Sequence, residues 1–201
     1  MAFNSLAGLA SAQAFHYLRY QSSLDIHSLS VVEFGNQRFR LSPNVIKKVA
    51  TIVGVDFAIP QSDPQFSDFT PYFFRAMGFN KYTALDMNEK MEAIPVDLNL
   101  DLRTSYRYST EHSLVIDNGT GEHVFDQYMV FKNQHDLCAV GGLILNIKPF
   151  LPWINHGFYT FHPVLFRDLA YANGYKEVFT WLGGNHGEYV DMTGDDRIWY
   201  E

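Results

Sequence analysis

The apolar positions along the chain change period several times, and each change marks an element. Residues 4 to about 22 alternate as an amphipathic helix does, and residues 29–34 (Leu-Ser-Val-Val-Glu-Phe) then form a β-rich run that stops at Gly35, where a tight turn fits. Ser42 and Pro43 precede Val45, Ile46, Val49, Ile52 and Val53, an apolar face at helical spacing with an N-cap, proline in the first turn and Gly54 at the end. Residues 55–70 hold Pro60 and Pro64 between aromatics and read as an ordered loop, and residues 71–77 read as a short helix closed by Gly78.

Three short apolar runs follow, ending in Asp86, Asp97 and Asp117. Continuous apolar runs are the pattern of buried parallel strands, and residues beyond their carboxyl ends line the ligand crevice of an open α/β sheet, so three carboxylates are expected to cluster there. Pro95 moves the second run to an edge or end. The pattern then predicts a helix over 124–138, a strand over 141–147, a loop rich in proline and aromatics over 149–162, a helix over 163–173 and a strand near 177–181. This alternation predicts a doubly wound, mostly parallel, three-layer α/β/α sheet of Rossmann-like type.

Composition narrows the function classes. The 201 residues suit one domain, with residues 1–27 as an N-terminal helical extension and 55–78 as an insertion. Lys and Arg number 15 against 22 Asp and Glu, a net charge of −7 that disfavours nucleic acid and anionic membranes. No apolar run approaches the ~20 residues of a membrane span. The N-terminus lacks the positive start of a signal peptide, so the expected location is the cytoplasm. The single Cys138 offers no internal disulfide. There is no phosphate-loop motif, no His-Glu-x-x-His and no Gly-x-Ser-x-Gly elbow.

With the strands placed, residues 29–182 resemble the class I S-adenosylmethionine-dependent methyltransferases. Val31-Val-Glu-Phe-Gly35 is similar to that family's first motif. Asp86 sits where the family places the carboxylate that takes the ribose hydroxyls, and a carboxylate can accept both donors of a diol. Asp97-Leu98-Asn99 resembles the segment flanking the adenine, Ser113 to Gly119 the fourth strand, Glu122-His123-Val124 the opening of the next helix, and Val140 to Leu143 the entry to strand five. These elements occur in family order, each at a strand end. The first turn departs from the family in carrying one glycine followed by the bulkier Asn36, Gln37 and Arg38.

The resemblance implies S-adenosylmethionine as cofactor, contacted by Glu33, Gly35, Asn36, Gln37, Asp86, Met87, Asp97, Leu98, Asn118 and Gly119. It implies methyl transfer to a small, aromatic or apolar acceptor, with His123, His156 or Tyr159 as candidate general bases, since imidazole suits proton removal near neutral pH. The absence of an Asn-Pro-Pro-aromatic signature after strand four speaks against nucleic-acid bases as acceptors. The competing expectation is a catalytically silent protein of the same fold that binds a ligand or partner through this crevice. Phe57, Phe66, Phe69, Tyr72 and Phe73 suggest that the insertion covers the pocket, or else forms a satellite core. Glu122 and His123 are metal-ligating types, but neighbours on a helix face different ways, so no metal is expected. His186 and Glu188 lie in a glycine-rich tail that reads as a loop. Asn118-Gly-Thr120 matches the glycosylation acceptor, yet at a strand end it is expected to go unused.

Overall fold

The computed structural model describes residues 2–56, 69–150, 156–184 and 186–194. Its strands are β1 (Ala2–Phe3), β2 (Ser30–Phe34), β3 (Arg38–Phe39), β4 (Lys81–Asp86), β5 (Ala93–Pro95), β6 (His112–Asn118), β7 (Cys138–Ile147), β8 (Trp181–Gly183) and β9 (Tyr189–Asp191). The helices are α1 (Ser5–Tyr20), α2 (Pro43–Val53), α3 (Phe69–Met77), α4 (Leu102–Ser105), α5 (Gln127–Leu137) and α6 (Pro163–Ala172).

Five strands form an all-parallel sheet in the order β5-β4-β2-β6-β7. The chain starts in the middle at β2, runs out to β5, and returns across β2 to β6 and β7. The strand order therefore reverses between β2 and β6, which is the switch point where open α/β sheets bind ligands. The fold is the Rossmann-like, three-layer α/β/α arrangement that the apolar runs predict. β5 pairs with β4 alone and ends on Pro95, the edge position that a residue without an N–H requires.

Alternation along the strands divides the interior in two. Val31, Leu114 and Ile116 face a large cluster with α1, α2 and α3, while Val32, Phe34 and Val115 face a smaller one with Leu102 of α4 and Val130 and Leu137 of α5. In the larger cluster Phe3 packs edge-on against Phe73 and Phe74, each at 5.4 Å between ring centroids, and Phe39 meets Phe69 at 4.5 Å. Phe69 and Phe73 are thus core residues, and Tyr72 is exposed. Phe57 and Phe66, with the rest of the proposed cover over 57–68, lie outside the described residues.

Caps set the helix ends as the sequence indicates. The Ser42 hydroxyl accepts from the Val45 N–H, Pro43 opens α2, and Gly54 closes it in the left-handed region at φ 69°. Two expectations are corrected. The helix expected over 124–138 begins only at Gln127, because Asp126 is its N-cap and accepts the Met129 N–H at 3.0 Å, which excludes the preceding residues. The strand expected near 177–181 lies at Trp181–Gly183, outside the main sheet, in an antiparallel pair with β9. The parallel pair β1 with β3 was not legible, being only two residues per strand. Among the described residues, no helix is long and apolar enough to cross a membrane.

Candidate active site at the carboxyl edge of the sheet

The turn after β2 is built around Gly35, whose φ of 79° is the left-handed region that glycine tolerates. A Cβ at this position would stand 2.1 Å from the Thr120 hydroxyl, so the glycine lets the turn after β2 touch the turn after β6. Gln37, which is buried, donates to the same Thr120 hydroxyl at 3.1 Å. Next to the turn, Asp86 accepts the Asn36 N–H at 2.9 Å on one oxygen and the Asn88 backbone and side-chain amides, at 3.2 and 2.6 Å, on the other. A carboxylate has about four acceptor positions, so one remains. Met87 beyond it is exposed.

Glu33 is fully buried among the sheet and helix side chains, where Tyr82 donates to it at 2.7 Å. Burial drives its carboxyl up to about 8, so it is protonated at neutral pH. Asp97 accepts the backbone and side-chain amides of Asn99 at 2.9 and 2.7 Å, and Leu98 is buried in the smaller core cluster. The three strand-end aspartates are engaged by separate donors: Asp86 by the Asn36 N–H of the turn after β2 and the Asn88 amides, Asp97 by the Asn99 amides of its own turn, and Asp117 by the Thr120 and Gly121 N–H groups.

The turn after β6 carries the most concentrated chemistry. Asp117, fully buried, accepts the Thr120 and Gly121 N–H groups at 3.2 and 3.0 Å on one oxygen, which folds the chain back over the strand end. Gly119 follows Asn118 at φ 69°, and its N–H bonds to the Ile147 carbonyl at 3.0 Å. Asn118 is fully buried with neither side-chain atom hydrogen-bonded, which also closes it to glycosylation. The other Asp117 oxygen takes Lys148 Nζ at 2.6 Å and the Gln134 amide at 3.0 Å. Lys148, its side chain 3% exposed at the end of β7, also reaches Glu122 at 3.3 Å.

Gly121–His123 forms a 3-10 turn rather than the start of α5. The segment 156–159 is clamped onto it: the Phe158 and Tyr159 N–H groups both donate to the Glu122 carbonyl, at 2.7 and 3.3 Å. Gly157, at φ 68°, permits this approach, since a Cβ there would meet that carbonyl oxygen at 2.8 Å. The clamp puts His156 Nε2 3.3 Å from Glu122 Oε1 and brings the rings of His123 and His156 to 4.9 Å, edge to face. Desolvation lowers the His123 imidazole below its ordinary value, against the opposing pull of Glu122. Tyr159 donates its hydroxyl to the Phe125 carbonyl at 2.9 Å. Phe125, Tyr128 and Phe158 expose large apolar faces, and the rings of Phe125 and Phe158 meet edge to face at 6.4 Å.

Of the candidates from sequence, the structure brings Glu122, His123 and His156 together and sets them beside Gly35 through Thr120. Glu33 and Leu98 are interior residues. Lys148 was missed, although a lysine directly after the apolar run 141–147 was its signal. His186 and Glu188 belong to the loop joining β8 and β9. No protein-family model matches the chain, and no curated protein is significantly similar to it.

Proposed function

We propose that this protein is an S-adenosylmethionine-dependent methyltransferase acting in the cytoplasm on a small aromatic or apolar acceptor. The observation that carries this reading is the contact of Gly35 with Thr120 across the switch point. It joins a turn bearing a partly satisfied carboxylate, Asp86, to a turn bearing the Glu122 and His156 pair.

The residues present fit a polar, cationic cofactor. Asp86 keeps an acceptor position, and the Asn118 amide and Gln37 Oε1 are buried polar atoms without partners, a state that costs ~1–3 kcal/mol each unless a ligand satisfies it. Asp117, Glu122 and Lys148 together carry one net negative charge, which favours a cation nearby. When bound, the cofactor would supply an electrophilic methyl group. The protein's own task is to position the acceptor and take its proton. Phe125, Tyr128 and Phe158 offer ring faces for an aromatic acceptor, and Glu122 orients the half-buried His156 as the proton-accepting imidazole.

One observation favours a second reading. The space a Cβ would take at Gly35 is already filled by Thr120, so the turn is less open than a phosphate- or cofactor-cradling loop, which suits a silent protein that binds a ligand or partner here. Calorimetric titration with S-adenosylhomocysteine separates the two. The enzyme reading expects one site, weakened at least tenfold by Asp86→Ala, and a rise in stability of ~2.7 kcal/mol at a hundredfold the dissociation constant. Absence of binding at millimolar ligand overturns it.

A further inference from the structure

Glu122 is fully buried, yet neither of its polar partners comes closer than 3.3 Å: Lys148 on Oε2 and His156 on Oε1. Charge-assisted bonds to a carboxylate normally close to ~2.7–2.9 Å. Lys148 does so with Asp117, at 2.6 Å, and so belongs mainly to that residue. Oε1 therefore faces imidazoles at a distance long for an ion pair. Two ligands on a metal at ~2.0–2.1 Å in tetrahedral geometry stand ~3.4 Å apart, which matches the 3.3 Å between Oε1 and His156 Nε2.

His123 completes the set. Although Glu122 and His123 are neighbours in a 3-10 turn, one donor atom from each of Glu122, His123 and His156 lies within 4.8 Å of the others. Among the described residues this is the one such group of three metal-ligating side chains. Two imidazoles and one carboxylate are a borderline nitrogen and oxygen donor set, suited to divalent first-row transition ions rather than to calcium or magnesium. Supporting contacts are already in place, because Lys148 stands 3.3 Å from the far oxygen of the carboxylate and the Gly157 clamp fixes the segment carrying His156. His123 is exposed and His156 partly so, which leaves an entry path from solvent.

We propose that Glu122, His123 and His156 bind one divalent transition-metal ion, of the zinc or iron(II) type, with open positions facing solvent. The site stands on this geometry alone. Its use, to hold and acidify a hydroxyl of the acceptor in the loaded protein in place of proton removal by His156, rests on the methyl-transfer reading.

The test is titration of the purified, chelator-treated chain with Co²⁺, followed by visible absorption, and with Zn²⁺ by calorimetry, both without S-adenosylmethionine. The expected result is one equivalent per chain, with d–d bands of a low-coordinate nitrogen and oxygen site. His123→Ala, on an exposed side chain, and His156→Ala each weaken binding at least a hundredfold, whereas His186→Ala leaves it unchanged. No saturable binding by 1 mM ion, or binding retained in the His123→Ala/His156→Ala double variant, overturns the proposal. S-adenosylhomocysteine binding is measured separately, so failure of the metal site and failure of the methyltransferase reading give different results.

Discussion

Replacing Lys148 with methionine keeps the unbranched stem and removes the ammonium that lies 2.6 Å from Asp117 and 3.3 Å from Glu122. At an effective dielectric of ~20, those separations correspond to gross attractions of about 6 and 5 kcal/mol. Most of that is offset by the cost of burying the ammonium, which the substitution also removes. Taking one partner from a buried ion pair nonetheless costs ~3–5 kcal/mol, because the other charge is left without compensation. The loss is unequal between the two carboxylates. Asp117 keeps the Thr120 and Gly121 N–H groups and the Gln134 amide, whereas Glu122, among the described residues, keeps His156. Urea unfolding at pH 8 is expected to show Lys148→Met less stable by ~3–5 kcal/mol. A deficit under ~1 kcal/mol would refute the view that this lysine neutralises the site.

Glu33→Gln tests the buried carboxyl in the sheet. The Glu33 carboxyl rises from 4.5 to about 8 on folding, so the folded state keeps a proton that the unfolded chain gives up between those values. Wild-type stability therefore falls as pH rises from about 4.5 to 8 and is unaffected below that window. Taking ~1.36 kcal/mol per pH unit, the fall is at most about 5 kcal/mol, and Glu33→Gln is expected to lack it; parallel stability profiles for the two proteins over pH 4–8 would contradict this. Gly157→Ala puts a Cβ 2.8 Å from the Glu122 carbonyl in a backbone region that costs ~1–3 kcal/mol for alanine. It is expected to break the clamp and weaken Co²⁺ binding with little change in secondary structure, which circular dichroism and the cobalt titration would read together.

The β-runs, the N-cap at Ser42, the edge role of Pro95 and the turn at Gly35 were all legible because each depends on residues within a few positions of one another. The main sheet follows from the same information, since apolar runs alternating with helical periods have few ways to pack. The site was only half legible. Asp86 and the Glu122-His123 pair could be picked out by their place at strand ends. The burial of Glu33 could not be, because a carboxyl in a β-run looks the same whether its face meets helices or a crevice.

What the sequence by itself determined was the set of elements and the edge of the sheet at which chemistry would collect. Helix periods, caps and β-branched runs act over one or two turns and need no distant partner. Only the tertiary structure decided that His156, 34 residues beyond Glu122, returns to its side chain, that Lys148 enters between Asp117 and Glu122, and that Thr120 fills the space beneath Gly35. Those contacts depend on how parallel strands set their ends side by side and on a single carbonyl gripping a loop, which spacing along the chain does not encode.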